Sequence, residues 1–392
     1  MNKAHQIKLY PTNAQQVLLH KSFGVARHSY NWALETWKEW HEKGERPSAY
    51  SLIKHQNSIK KEQTPFYLEV SKTAPQYAIH NVEKAFKRFF DKKAKYPKFK
   101  KKGIKDSFVA VENKNQFKQH EKKIWLPRIG WVKCAEDLRF KGKVNNVVVK
   151  RIADMYFAVV NIELPNETPI ASDNQVAIGV DLGIKTMMVL SDGTTFENPK
   201  ALKNNLKQLK RLQRSLCRKQ KGSNNRRKQQ IKVARKHYRV SCIRKNAIHQ
   251  STSHIINNYD KIFIEDLNVE GMLKNHSLAQ SISDVSFSEI TRQLAYKAAW
   301  QGKEVVMVDR WFPSSKLCSC CGNKKEKLKL SERVYRCDNC GLEIDRDLNA
   351  AKNLVNYDPT QKTGESEACG ADPNISSYSD RVAMKQELSI NR

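Results

Sequence analysis

Polar and apolar residues alternate over Gln6-Ile-Lys-Leu-Tyr10, which predicts a strand, and Pro11 ends it. Thr12 followed by Gln15 has the spacing of a capping box and predicts a helix start. Phe23, Ala26, Tyr30, Ala33, Trp37 and Trp40 then recur every three or four residues, the apolar face of one helix. A second helix is predicted near Thr73, with Pro75 in its first turn and Ala78, Val82, Ala85 and Phe89 on its buried face. Residues 12–95 thus read as a small helical domain. After Tyr96-Pro97 the period drops to two. Phe108–Val111, Ile124–Leu126, Val147–Ile152 and Tyr156–Leu164 read as short strands. Together with the first strand, residues 1–11, the segment 96–168 reads as a small antiparallel barrel or sandwich, with Cys134 as a core or surface residue. The polar stretch Pro165 to Gln175 reads as a linker.

Beyond it the pattern becomes mixed. Val176-Ala-Ile-Gly-Val-Asp181 is a buried strand, with Met187–Leu190 as its hairpin partner. Lys261–Glu265 and Val305–Val308 are further buried strands, and Ser288 to Trp300 is a helix. Strands alternating with helices predict an α/β layer over 169–315. A basic helical insert, about 199–252, interrupts it: Leu202, Leu206, Leu209 and Leu216 recur at helical spacing, with Leu212 beside them. The tail, 359–392, is aperiodic and reads as disordered.

Charge changes the picture more than composition does. The 392 residues carry 71 Lys and Arg against 40 Asp and Glu, a net charge of +31. Such an excess repels itself unless it meets a polyanion, and nucleic acid is the default one. From Asn198 to Tyr259 there are 18 Lys or Arg and no acid, so the insert reads as a nucleic-acid contact rather than a merely solvated hairpin. No run of about 18 apolar residues predicts a membrane span, and the first residues lack the apolar core of a signal peptide.

Two sets of residues carry chemistry. Cys318-x-x-Cys321 and Cys337-x-x-Cys340, each followed by a glycine, are two knuckles that predict one structural Zn²⁺ with no open position. Cys320 reads as a bystander. The pairing with a metal, and nine cysteines in all, favour a reducing cytosol over a disulfide framework. The second set is Asp181 and Glu265, at the ends of buried strands, with Asp347 at the start of a helical run. Three carboxylates drawn together need cations, and Mg²⁺ suits oxygen ligands. Spacing alone leaves the alternative open, because an Asp at a helix start is as readily a cap.

Gly179-Val-Asp-Leu-Gly183, Ile264-Glu-Asp-Leu267 and Asp345-Arg-Asp-Leu-Asn-Ala-Ala351 resemble the three RuvC motifs of the TnpB family, transposon-encoded relatives of the type V CRISPR effector nucleases. The resemblance extends to Tyr96-Pro-Lys-Phe99, Leu126-Pro-Arg-Ile-Gly-Trp131 and Val308-Asp-Arg-Trp-Phe-Pro-Ser-Ser-Lys316, and covers about residues 5 to 356. It implies an α+β multidomain protein: an OB-like wedge barrel (1–11 and 96–168) interrupted by a helical recognition domain (12–95), then an RNase H-like RuvC domain (169–315 and 345–358) holding a zinc ribbon (316–344). It implies that Asp181, Glu265 and Asp347 are catalytic and hold two Mg²⁺ ions, with Mn²⁺ as a substitute, while Asp345 caps the helix or positions it.

The activity so implied is RNA-guided cleavage of double-stranded DNA beside a short adjacent motif. The guide RNA would come from the transposon's own end, and the particle would be a monomeric ribonucleoprotein in a bacterial or archaeal cytoplasm, with no membrane partner. Base pairing would read sequence while the protein holds backbone and shape. Gln76, Lys84, Lys87, Lys98, Lys210, Arg211, Arg214, Arg218, Arg226 and Arg227 are the candidate nucleic-acid contacts; solvated helix surface is the alternative for them. Three other readings compete: a guide-free structure-selective nuclease or resolvase, a non-cleaving accessory protein or repressor, and a transposase. Intact acids speak against the non-cleaving reading, the acid-free insert against the guide-free one, and the lack of a second catalytic set against a transposase. Because Cys340 is seven residues before Asp347, the ribbon is expected to fix the position of the third acid.

Overall fold

A computed structural model describes residues 1–103, 105–111, 117–165, 176–329 and 331–358. The chain forms two compact units, Met1–Asn166 with Leu212–Tyr238, and Glu167–Arg211 with Arg239–Arg392. Most of the predicted linker and the whole tail, 359–392, lie outside the described residues.

The first unit is built on an antiparallel sheet of β1 (Asn2–Tyr10), β2 (Lys105–Val111), β3 (Lys118–His120), β4 (Lys123–Leu126), β5 (Gly130–Cys134), β6 (Lys143–Ile152) and β7 (Met155–Glu163), in the order β2-β6-β7-β1-β5-β4-β3. The N-terminal strand is recruited as expected: β1 lies between β7 and β5, with His5 opposite Val160 and Leu9 opposite Cys134. Cys134 is a core residue. Strands β3 and β5 were not legible, because three to five residues hold too few alternations to stand out.

Three helices accompany the sheet: α1 (Asn13–Glu42), α2 (Ala49–Ile59) and α3 (Thr73–Phe90). The capping box forms as read, Thr12 Oγ1 accepting from Gln15 N and Gln15 Oε1 from Thr12 N. The whole stripe from Phe23 to Trp37 is buried, and Trp40 packs on its edge. Two expectations need correction. Helix α2 had not been anticipated; only Leu52 and Ala49 of its side chains are apolar and buried, too few for a stripe. On α3 the buried stripe is Ala78, Ile79, Val82 and Phe86, whereas Ala85 and Phe89 are half-buried. The face is rotated because Phe86 stacks on Trp37 at 4.9 Å, which aims it inward, while Phe89 meets Tyr96 nearer the surface. Helices and sheet bury one continuous apolar cluster.

The second unit holds β8 (Ala177–Leu182), β9 (Thr186–Leu190), β10 (Thr195–Glu197), β11 (Lys261–Glu265) and β12 (Glu304–Val308), in the order β10-β9-β8-β11-β12. β8, β11 and β12 are parallel; β9 and β10 continue the sheet antiparallel. The basic stretch forms α4 (Ala201–Cys217) and α5 (Asn224–Asn258), whose distal residues, 212–238, cluster with the first unit. There Arg235 ion-pairs with Asp154, which holds that carboxyl below its usual range. Short helices α6 (Val269–Met272) and α7 (Ala279–Val285) lead into α8 (Phe287–Gln301). After β12 come the cysteine knuckles, the hairpin β13 (Val334–Arg336) and β14 (Glu343–Asp345), and α9 (Arg346–Val355).

Both faces of this sheet are covered, which is why its strands read as unbroken apolar runs. Ile178, Val180, Ile262 and Ile264 point to one face, against Ile248 and Ile255 of α5 and Ile290 and Leu294 of α8. Phe263 and Val308 point to the other, against Leu354 of α9. The alternation along each strand thus sends Gly179, Asp181, Phe263 and Glu265 to the α9 side.

Candidate metal centres

Parallel pairing sets Phe263 beside Gly179 and Ile264 beside Val180, so Glu265 follows alongside Asp181 at the strand ends. Helix α9 lies against β8 closely enough that a Cβ on Gly179 would come within 2.0 Å of the Ala351 carbonyl oxygen. Only glycine permits that approach. Asp347 is one turn before Ala351, on the same helical face. Asp345 caps α9 with its carboxylate, accepting from Asp347 N at 2.9 Å and Leu348 N at 3.1 Å. Its anticipated capping role is therefore what it does.

The three acids feel one another. Burial pushes the Asp181 carboxyl well above its usual range, and the charges of Glu265, Asp347 and Asp345 push it further, against the Arg346 guanidinium. Burial also raises Glu265, opposed by a hydrogen bond from Ser314 Oγ. Arg346 sits 3.2 Å from Asp347. Asp266 points elsewhere and pairs with Arg310 at 2.9 Å. A cluster of oxygen donors in which negative charge outweighs the local cation fits a divalent ion. Among the described residues, though, only the four cysteines have all their ligand atoms within 4.8 Å of one another. The three acids do not meet that limit; Glu265 is engaged by Ser314 and Asp347 by Arg346.

The cysteine set is compact. Cys318 Sγ lies 3.6 Å from Cys340 Sγ, and Cys321 Sγ 3.5 Å from Cys337 Sγ. A tetrahedral Zn²⁺ with Zn–S of about 2.3 Å separates its sulfurs by about 3.8 Å, so the four residues fit that ion. Gly322 and Gly341 close the knuckles with φ of +73° and +72°, the left-handed turn that the sequence anticipates. Backbone N–H groups aim at the sulfurs: that of Asn323 leads in lowering the Cys321 thiol to about 6, and that of Cys340 lowers Cys337. Cys320 is exposed and outside the set.

Of the candidate nucleic-acid residues, Lys84, Lys87, Lys98, Lys210, Arg211, Arg214, Arg218 and Arg227 are exposed and Gln76 is half-buried. Arg226 is engaged within the protein, donating to the carbonyls of Leu216 and Lys219 at 2.8 and 2.9 Å across the turn between α4 and α5. The sequence reading missed Ser314 and Arg346, and it missed two buried asparagines of α9, Asn349 and Asn353. Their spacing of four, on the face that also carries Leu354 and Ala350, was the signal that could have found them.

The mixed sheet thus carries the three acids at the end of its parallel strands, with α9 across it and the four-thiol knuckle pair before α9, and three family models match the chain. Residues 159–276 match one described as "Probable transposase", 287–354 one described as "Cas12f1-like, TNB domain", and 1–46 one described as "Helix-turn-helix domain". The last span here contains β1 and the single helix α1. A Streptomyces pristinaespiralis protein named "Putative RNA-guided DNA endonuclease" is 36% identical over 91% of this chain and 89% of its own length. "Putative RNA-guided DNA endonuclease InsQ" of Escherichia coli K12 is 32% identical over 90% of this chain and 91% of its own. The mimivirus "TnpB-like protein L79" is 27% identical over 49% of this chain and 39% of its own length. A cryo-EM structure of a Cas12f1–sgRNA–target DNA complex shares the fold with a TM-score of 0.57 at 13% identity, over 92% of this chain and 99% of that one. The chain belongs to the TnpB family.

Proposed function

We propose that the chain is an RNA-guided endodeoxyribonuclease that cuts double-stranded DNA beside a short adjacent motif, with Asp181, Glu265 and Asp347 holding two Mg²⁺ ions. The observation that carries this reading is that β8, β11 and α9 bring Asp181, Glu265 and Asp347 near enough for burial and the neighbouring charges to raise the Asp181 carboxyl despite Arg346. The names of two relatives that align over nine-tenths of the chain, both putative RNA-guided DNA endonucleases, support this reading.

Each residue then has a task. Asp181 and Glu265 project from strand ends, whose backbone is fixed by the sheet, and Asp347 from the first turn of a helix. Ser314 occupies Glu265 Oε1, which leaves Oε2 for a metal. Arg346 draws Asp347 toward itself and adds positive charge where the scissile phosphate would lie. Ions held by Asp181, Glu265 and Asp347 would supply Lewis acidity for activating water and for stabilising the departing 3′ oxygen. The products would carry 5′-phosphate and 3′-hydroxyl ends, and one such centre would cut the two strands in turn. Cys318, Cys321, Cys337 and Cys340 hold one structural Zn²⁺.

The finer architecture follows the same reading: an OB-like wedge from 1–11 and 96–168, a recognition domain at 12–95, a RuvC-like domain at 169–315 and 345–358, and a zinc ribbon at 316–344. The exposed lysines and arginines of α3, α4 and α5 meet phosphate, and base pairing with a guide RNA from the transposon end reads sequence. The working particle is a monomeric ribonucleoprotein in a prokaryotic cytoplasm; no helix among the described residues is long and apolar enough to cross a membrane. The test is to express the protein with its native flanking DNA and sequence the RNA that co-purifies. One dominant species ending beyond the transposon end supports the reading. Heterogeneous or absent RNA with Mg²⁺-dependent cutting retained would replace it with a guide-free nuclease.

A further inference from the structure

The two asparagines of α9 are aimed at a single stretch of backbone. Asn349 is fully buried and Asn353 is 4% exposed. Asn349 Nδ2 donates to the Leu317 carbonyl at 2.6 Å, while its Oδ1 accepts from Ser319 N at 3.0 Å. Asn353 Nδ2 donates to the same Leu317 carbonyl at 2.7 Å and to the Ser314 carbonyl at 2.7 Å. The stretch so held, 314–319, has two chemical ends. Ser314 donates through Oγ to Glu265. Leu317 and Ser319 flank Cys318, a ligand of the thiolate set.

We infer that Asn349 and Asn353 are positioning residues, a clamp that ties the helix bearing Asp347 to the segment that holds Glu265 and Cys318. The clamp rests on the two-metal reading above and goes beyond it, because it assigns the spacing between two acids to residues that touch neither. Neither Asn side chain reaches a carboxylate, yet each connects elements that end in one. The first knuckle is the reference against which α9 is set, so the ribbon acts on the metal centre through these amides as well as through the short link from Cys340.

The side-chain type is required. Asn349 must donate to one backbone group and accept from another two residues away, and an amide is the small planar group that does both. An aspartate of the same shape still accepts from Ser319 N but sets a carboxylate against the Leu317 carbonyl. Asn349→Asp therefore opens the clamp without removing volume from the core, whereas Asn353→Ala opens it by removing the amide. Gly179 keeps α9 on β8 in such a variant, so the helix shifts rather than detaches.

The test uses the full chain, Asn349→Asp and Asn353→Ala made separately, with zinc content measured on each. In the guide-RNA complex, single-turnover cleavage at saturating target falls about tenfold or more, the target-DNA Kd stays within about twofold, and the Mg²⁺ concentration giving half the maximal rate rises several-fold. In the full chain without RNA, Mn²⁺ binding followed by electron paramagnetic resonance weakens in parallel. One zinc per chain and a single cooperative melting transition accompany both losses, the melting temperature lower by a few degrees because buried backbone groups lose their partners. Wild-type cleavage and Mn²⁺ affinity retained in a zinc-loaded, folded variant would overturn the clamp. So would a loss of rate that tracks loss of zinc or of target binding. If Asn349→Asp does not fold, Asn353→Ala carries the same readouts. A wild-type complex that fails to cut defeats the nuclease reading alone, because the Mn²⁺ measurement still decides the clamp.

Discussion

Asp181, half-buried, and Asp284, buried, are two acids of the same unit whose surroundings could hardly differ more. Asp284, on α7, is 5% exposed and receives the backbone N–H groups of Leu202 and Lys203 at 2.9 and 3.1 Å, and Arg244 Nη2 at 2.9 Å. A helix N-terminus and a guanidinium neutralise it, and α4 gains a cap from a distant part of the chain. At Asp181, burial and the charges of Glu265, Asp347 and Asp345 drive the carboxyl upward against Arg346. Burial of a charge therefore identifies nothing by itself. Asp284 has its compensating groups within hydrogen-bond reach and acts as a fastening; at Asp181 the neighbouring carboxylates outweigh Arg346, which is the setting the proposed metal role requires.

The largest expected effect separates the two by activity. Asp181→Asn removes a proposed metal ligand, and losing several kcal/mol of transition-state stabilisation predicts about a 10³-fold or greater loss of cleavage. Target-DNA affinity measured beside the rate should hardly move. If cutting persists, Asp181 is not a ligand and the comparison collapses.

Next comes stability. Asp284→Ala leaves Arg244 and the start of α4 without their partner, a loss of about 3–5 kcal/mol for a broken buried pair. That corresponds to a melting temperature lower by about 6–20 °C, read by calorimetry. Asp181→Asn, by contrast, relieves crowding and should raise the melting temperature in Mg²⁺-free, zinc-loaded buffer by a few degrees, roughly 1 kcal/mol. Equal destabilisation by the two substitutions would erase the distinction drawn between them.

Gly179→Ala should cost about 1–3 kcal/mol, because the Ala351 carbonyl lies where the new methyl would go. It should slow cleavage as well, since α9 must withdraw and carry Asp347 with it. Full activity with normal stability would show that the close approach is dispensable.

The smallest effect is a pH dependence. The folded-state carboxyls of Asp181 and Glu265 are raised above their unfolded values. Protonation therefore favours the metal-free fold. Their contribution is complete below the ordinary carboxylate range, near 4, and is lost as pH climbs through the raised values. The melting-temperature advantage of Asp181→Asn over the wild type should grow over that interval and vanish when Mg²⁺ is added. A constant difference across pH would count against the crowding of charge.

How much of this could be read from the chain depended on the range of each interaction. The Thr12–Gln15 cap, the stripe from Phe23 to Trp37 and the four knuckle cysteines were legible because their partners lie within a few residues or repeat at a fixed period. Helix α2 and strands β3 and β5 were not, being short and weakly patterned. The three acids were legible only as motifs. Nothing in Asp181 or Glu265 taken alone distinguishes a ligand from a fastening, and Asp284 drew no notice at all.

Composition, period and spacing, read without a fold, therefore determined the secondary elements with strong repeats, the thiolate set and the polyanion-seeking charge. Each of these is a sum over residues or a local relation. Tertiary structure alone decided that Gly179 admits α9, that Ser314 meets Glu265 from 49 residues away, that Arg226 closes a turn, and that Asn349 and Asn353 grip the first knuckle. Those relations depend on which strand face and which helix turn meet in space. Electrostatic compensation of a buried charge acts through distance in space, and a linear chain does not record that distance.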